Sequence, residues 1–383
     1  MKQPIKLIIL LLAFLSLPQA KAQYYDIGQA RASHQWKQIE TPGFRLIFPS
    51  HYEPEAQKAA VLFEYARNKV SSGLQANVRK TPLIFHTESE VSNAYSIWAP
   101  RRIEFLTTPP QDLYPQPWIE QLALHEYRHI AQLSKLNQGI TKSLGIVFGE
   151  QAVVVSTGLF VPSWFIEGDA VVAETALGKS GRGRVPAFEM PLRAQLKEKG
   201  TYSYAKASLG SYKDFVPDIY ITGYHIVAAA RKKYGNNLWN TALNFTARRP
   251  YTITPFNNGL KKVSGLNKKG IYLESMVYLD SLWHKGQATE SHQIKLLHEP
   301  DNYTNYNHPH FINDTLIVAL KTSYKDIPRI VSIDKKGREQ IIYTPGYMPD
   351  DRISYSGGWL AWIENRPHVR WETVGFTTII MLN

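Results

Sequence analysis

The chain changes its hydrophobic period twice, and this constrains its fold more than any other feature. Up to about Pro110 the apolar runs have strand length: "FRLIFP" (Phe44 to Pro49), "TPLIFH" and "RRIEFLTT". One amphipathic helix, "EPEAQKAAVLFEYARNKVSS", interrupts them. From Pro117 to about Trp283 the runs have helix length, beginning with a proline ahead of "WIEQLALHEYRHIAQLSKL". Strands first and helices after predict an α+β domain with an N-terminal mixed sheet and a helical half.

Short strands return near the C-terminus. "HFINDTLIVALKTSYKDIPRIVSIDKKG" and "RISYSGGWLAWIENRPHVRW" resemble each other, with Leu316 matching Leu360 and Arg329 matching Arg370. The spacing of roughly 40–45 residues is that of a propeller blade, and about four to eight blades are needed to close a ring. Residues 291–383 therefore predict an incomplete β-propeller of two blades. Its apolar faces, Leu316–Leu320 and Leu360–Ile363, should then be open to water, and the tail less ordered than the domain before it.

The first 22 residues carry two early lysines, an apolar run from Leu7 to Leu17 and an Ala20-Lys21-Ala22 step. That is the pattern of a secretory signal peptide, and the run is short for a membrane span. The expected organisation is 1–22 signal peptide, 23–290 main domain and 291–383 partial propeller. The chain has no cysteine, hence no disulfide and no thiol to carry a lipid. Export without cysteine predicts a bacterial envelope protein of the periplasm, the cell surface or the medium.

Hydrophobic residues make up 44% of the chain, which excludes wholesale disorder. The net charge of +12 falls to +9 without Lys2, Lys6 and Lys21. That surplus reads either as a solvated basic surface or as an attraction to anionic envelope surfaces. No nucleic-acid motif accompanies it. "SLGIVFGEQAVVVSTGLFVPSWF" is very apolar, but Glu150, Gln151 and its glycines argue against a bilayer span, so no transmembrane helix is expected in the mature chain. It reads as buried helical structure over the site or as a lip that touches membrane.

"LHEYRHIAQ" puts His125 and His129 four residues apart on one helix face, where both can reach one cation. Glu126 sits one position round, within reach of a water on the same metal. Zinc needs at least one further protein ligand, which this stretch does not supply. Downstream, "PSWFIEGDAVVAET" places Glu167 at the start of another helix.

Together the two segments resemble the gluzincin metallopeptidases, the thermolysin-like and aminopeptidase N-like enzymes. Aminopeptidase N relatives carry their third zinc ligand in a Trp-Leu-x-Glu-Gly-x-Ala context, and this chain reads Trp164-Phe165-Ile166-Glu167-Gly168-Asp169-Ala170. The likeness is nearest to the peptidase MA-like domains of bacterial envelope proteins, several of which carry a propeller-like tail. It covers about Gln23 to Trp283, with a longer apolar insert between His129 and Glu167 than in aminopeptidase N.

The resemblance implies Zn2+ held by His125, His129 and Glu167, a fourth position open for water, and Glu126 as general base of peptide hydrolysis. Glu174, two turns beyond Glu167, reads either as an acceptor that orients a ligand histidine or as a surface carboxylate. The family's oxyanion-stabilising tyrosine lies three residues before a glycine. Tyr220-Ile221-Thr222-Gly223 has that arrangement, with Tyr224 and His225 as rivals. No Gly-Ala-Met-Glu-Asn stretch is present to hold a free amino terminus. "APRRIEFLTT", which carries Glu104, is the candidate edge strand for an extended peptide. His308 and His310 read as turn or strand-edge residues.

The expected function is that of an exported zinc metallopeptidase acting on a peptide or protein, with an envelope partner possible through the propeller. Two alternatives stand beside it: an inactive envelope-binding scaffold, and a zinc hydrolase of a non-peptide envelope bond.

Overall fold

A computed structural model describes residues 30–31, 33–110, 116–283, 301–371 and 374–383. The predicted signal peptide, and the predicted boundary near residue 290, lie outside the described residues. The described part is mixed α+β with open sheets.

The N-terminal sheet is built from β1 (Trp36–Glu40), β2 (Phe44–Pro49), β3 (Thr81–His86), β4 (Ser92–Trp98) and β5 (Arg101–Thr107), in the order β1-β2-β3-β5-β4. The crossover helix α1 (Glu53–Ser72) joins β2 to β3, which run parallel. Alternation on the strands buries Phe44, Leu46 and Phe48 of β2, then Leu83 and Phe85 of β3. On α1, Ala56, Ala59, Phe63, Ala66 and Val70 recur at helical spacing and are buried. Phe63 meets Phe44 and Phe105 edge-on, with centroids 5.4 and 5.2 Å away.

One strand expectation is corrected. β5 is interior, paired parallel to β3 and antiparallel to β4, so the edges of this sheet are β4 on that side and β1 on the other. Glu104 faces no edge. It is buried and bonded to His86 (2.8 Å) and Tyr95 (3.1 Å) and also to Arg102.

The helical half comprises α2 (Trp118–Leu136), α3 (Gly139–Phe148), α4 (Gln151–Phe160), α5 (Ser163–Leu177), α6 (Pro186–Lys199), α7 (Tyr204–Leu209), α8 (Ile219–Tyr234), α9 (Asn237–Arg248), α10 (Pro255–Ser264) and α11 (Lys268–Trp283). Helix α2 is buried along most of its length and joins the sheet through Tyr127, whose ring lies 5.3 Å from Phe44. Trp239 of α9, Phe165 of α5 and Phe256 of α10 form a second aromatic cluster in the same core.

The apolar segment after α2 is helical, as expected, but not buried. The α3–α4 hairpin leaves Ile146 at 76%, Phe148 at 70% and Leu159 at 72% exposure.

The tail forms two antiparallel sheets. The first holds β6 (Thr304–Asn313), β7 (Leu316–Ser323), β8 (Arg329–Asp334) and β9 (Glu339–Tyr343). The second holds β10 (Ile353–Ser356), β11 (Trp359–Pro367) and β12 (Gly375–Leu382). No closed barrel or ring occurs among the described residues. The expectation of water-exposed strand faces fails for the inner ones. Val318, Leu320 and Ile330 of the first sheet pack with Ile353, Leu360 and Trp362 of the second in a small core of their own. Apolar residues remain exposed on the outer strands, among them Ile341, Phe376 and Ile379. His310 bonds the Ile353 carbonyl at 2.9 Å, in keeping with a strand-edge role.

Candidate metal centre

Helix α2 presents His125 and His129 one turn apart, and α5 crosses it to bring Glu167 opposite. Both His125 Nε2 and His129 Nε2 lie 3.4 Å from Glu167 Oε2. Ligands about 2.0–2.1 Å from a tetrahedral zinc sit roughly 3.4 Å from one another, so the spacing fits that ion. The ligand atoms of the three residues all fall within 4.8 Å of one another, and no other such cluster occurs among the described residues.

The donor set fits a cation in two further respects. Glu167 Oε2 is buried and makes no hydrogen bond of good geometry, with only the two Nε2 atoms paired to it at 3.4 Å, an arrangement that a cation between them would satisfy. The far nitrogen of each imidazole is engaged, leaving both Nε2 atoms for a metal. His129 Nδ1 donates to Gln132 Oε1 at 3.0 Å. His125 Nδ1 lies 2.9 Å from Glu174 Oε2 and also 2.9 Å from Arg182 Nη2. Metal on Nε2 requires that Nδ1 carry the proton and donate it to Glu174.

Glu174 is therefore no surface carboxylate. It is fully buried, and Arg182 of the short helical turn Arg182–Arg184 grips it through Nε at 2.8 Å and Nη2 at 2.9 Å. Burial would raise the Glu174 pKa, but Arg182 and His125 hold it below the usual carboxylate range. Burial would likewise raise Glu167, and the two imidazoles pull it well below that range. Burial opposes charge on His129, yet the Glu167 carboxylate overcomes this and lifts its pKa to about 9.

Glu126 differs from these carboxylates. Burial dominates and raises its pKa, against the pull of His129 and His125. Its Oε2 accepts from the Ser96 hydroxyl at 2.9 Å, and the same hydroxyl lies 2.8 Å from the Glu126 carbonyl. Ser96 belongs to the edge strand β4, so the carboxylate is anchored where that edge meets the cleft.

Tyr220 opens α8 beside the site. Its ring lies 6.2 Å from that of His125 and 5.3 Å from the Arg182 guanidinium. Burial and then the Glu167 charge push its pKa up to about 12, so it is a neutral hydrogen-bond donor at any ordinary pH. The rivals point elsewhere. Tyr224 donates to the Gly183 carbonyl at 3.3 Å, and His225 is buried against Trp283.

Several supporting residues escape a reading of the sequence. Gln132 Nε2 donates to Ile166 O and Asp169 Oδ2, each at 3.0 Å. Asp169 also takes a two-pronged bond from Arg128 (2.7 and 3.0 Å) and one from Arg231 (2.7 Å). Arg182 and Ser96 were equally hidden. Only Gln132 carries a local hint, lying one turn beyond His129.

No protein-family model matches the chain, and no curated protein matches it.

Proposed function

We propose that the chain is a zinc metallopeptidase of the gluzincin kind, exported to the bacterial envelope, with the two C-terminal sheets as propeller blades. The observation that carries this reading is the convergence of His125 Nε2 and His129 Nε2, each 3.4 Å from Glu167 Oε2, in one cluster of three ligand residues.

His125, His129 and Glu167 would hold the ion. When bound, zinc supplies a Lewis acid that acidifies water and polarises a carbonyl. Glu126 takes the proton from the attacking water. Its buried, pKa-raised carboxylate is suited to receive that proton and to pass it to the leaving amine. Ser96 fixes the carboxylate by holding Oε2. Tyr220 donates its phenolic hydrogen to the oxygen on which charge develops. Glu174, steadied by Arg182, keeps His125 in the tautomer that leaves Nε2 free. The free edge of β4 offers backbone groups to an extended peptide beside Glu126. This last feature favours a peptide over another envelope bond.

Metal analysis of the purified protein and its variants tests the reading. The parent should carry one zinc per chain, His125→Ala none. Glu126→Gln should keep the zinc and lose nearly all cleavage of a broad peptide library. Full zinc in His125→Ala would sink the ligand assignment. Equal cleavage by Glu126→Gln and parent would remove Glu126 as the base. A parent that binds zinc but cleaves nothing would favour the binding-scaffold alternative.

A further inference from the structure

The α3–α4 hairpin is a surface element with almost no charge on it. Helix α4 contains no charged residue, and α3 contains only Lys142. Soluble helices normally turn charged groups to water. Here the outward positions are Val154, Val155 and Leu159 on α4, with Ile146, Val147 and Phe148 at the end of α3. Each helix buries only a narrow strip, Thr141 on α3 and Val153 with Ser156 on α4. The hairpin is tied to the body at its start and at its turn. Thr141 bonds the Ala247 carbonyl at the end of α9, and Glu150 in the turn accepts from the Arg101 N–H beside β4. A contiguous apolar face of this kind marks an interaction surface.

Its surroundings identify the partner. From Ile219 to Leu273 the sequence has nine Lys and Arg and no Asp or Glu. Six of them, Arg248, Arg249, Lys261, Lys262, Lys268 and Lys269, follow along from the end of α9, on which the hairpin rests. The adjoining loop adds exposed Tyr251 and Ile253, the latter held at φ 60° although β-branched. Arg249 and Lys262 both lie over the Phe245 ring, at 5.3 and 5.1 Å. Arg248 packs against Gly139 at the start of α3 and Lys268 lines a groove with Leu159 and Phe160 of α4, and apolar helices flanked by cations suit the boundary of an anionic bilayer. Each helix is ten residues, about 15 Å, against a hydrocarbon core of about 30 Å, so the hairpin can lie in the interface but not span it.

We infer that the α3–α4 hairpin docks the protein on the surface of a membrane rich in anionic lipid. The same docking seats the metal cleft at that surface. Leu159 and Phe160 of α4 line one groove with Ile166, Glu167 and Lys268, so the lipid-facing helix, a metal ligand and a cation share a wall. Substrates would then be met at the membrane, as anchored or membrane-adjacent chains. That corollary rests on the peptidase reading, whereas the docking itself does not.

Vesicle flotation needs neither zinc nor hydrolysis and so separates the two. The chain from Gln23 onward, carrying Glu126→Gln, should float with vesicles of phosphatidylglycerol and phosphatidylcholine and far less with phosphatidylcholine alone. The pair Val147→Asp and Val155→Asp should weaken partition by about tenfold or more, and so should Arg248→Glu with Lys262→Glu, while melting is unchanged. The second pair lies outside the hairpin and keeps the test open if the first misfolds. A folded parent that stays off anionic vesicles would overturn the inference. So would variants that float as well as the parent, or a stable dimer in sedimentation that the hairpin substitutions dissociate.

Discussion

Gly168 and Gly223 meet backbone to backbone where α5 crosses α8: a Cβ on Gly168 would lie 2.1 Å from the Gly223 carbonyl carbon. Glu167 immediately precedes the first glycine, and Tyr220 stands one turn before the second. The closeness of the two helices therefore sets the distance between the Glu167 carboxylate and the Tyr220 phenol. A Cβ on Gly223 would fall 1.9 Å from the Trp164 carbonyl oxygen, a backbone atom that cannot swing aside. Gly223→Ala should thus cost at least about 1–3 kcal/mol, read as a lower urea midpoint, and should impair hydrolysis beyond any loss of folded protein.

Removing the support of His125 should loosen the metal without unfolding the chain. Glu174→Gln keeps the shape but weakens the acceptor, and Arg182→Met frees it. Each should reduce zinc affinity by about 10–100-fold in competition with a chelator. Unchanged affinity in both variants would show that the tautomer of His125 is set by other means.

If the proposed role holds, Tyr220→Phe should lower kcat by about 10²–10³ with little change in KM, since a hydroxyl that acts only as charge develops contributes nothing to the ground state. Tyr224→Phe should leave both constants near those of the parent, since that hydroxyl bonds Gly183. A reversed pattern would transfer the role to Tyr224.

His225 gives the fold a pH dependence of its own. Burial lowers its pKa from an ordinary 6.5 to about 4, and its Nε2 has no partner. The unfolded chain then binds this proton first as pH falls. The neutral imidazole's contribution is whole above pH 6.5 and is lost progressively down to about pH 4. The loss amounts to about 3 kcal/mol, from about 1.4 kcal/mol per pKa unit. In urea titrations, His225→Phe should flatten the slope of stability across that window. A parent and variant with the same slope would mean that His225 ionises freely in the folded state.

The two histidines were legible because their relation is local: four residues on one helix settle it. Glu167 needed the wording of a second segment, since nothing in spacing alone joins residues 38 apart in the chain. Arg182, Ser96 and the Arg128–Asp169 pair were not legible, because each acts across a tertiary contact that composition does not encode. The sheet shows the same limit. Its strands were readable from alternation, but β5 rather than β4 looked like the edge, since chain order does not determine spatial order. For the α3–α4 hairpin the buried reading fails, for a different reason. An apolar helix reads alike whether protein or something else covers it, and only the packing revealed that protein covers so little.

Asp169 is buried between Arg128 of α2 and Arg231 of α8, with its pKa held well below the usual range despite that burial. This ion triad ties together the helices that carry His125, Glu167 and Tyr220. Small zinc domains collapse when stripped because the ion is their only clasp. This protein has an internal clasp of its own, so loading should resemble a key entering a finished lock. Chelation should empty the cleft and leave the fold standing, ready to be refilled.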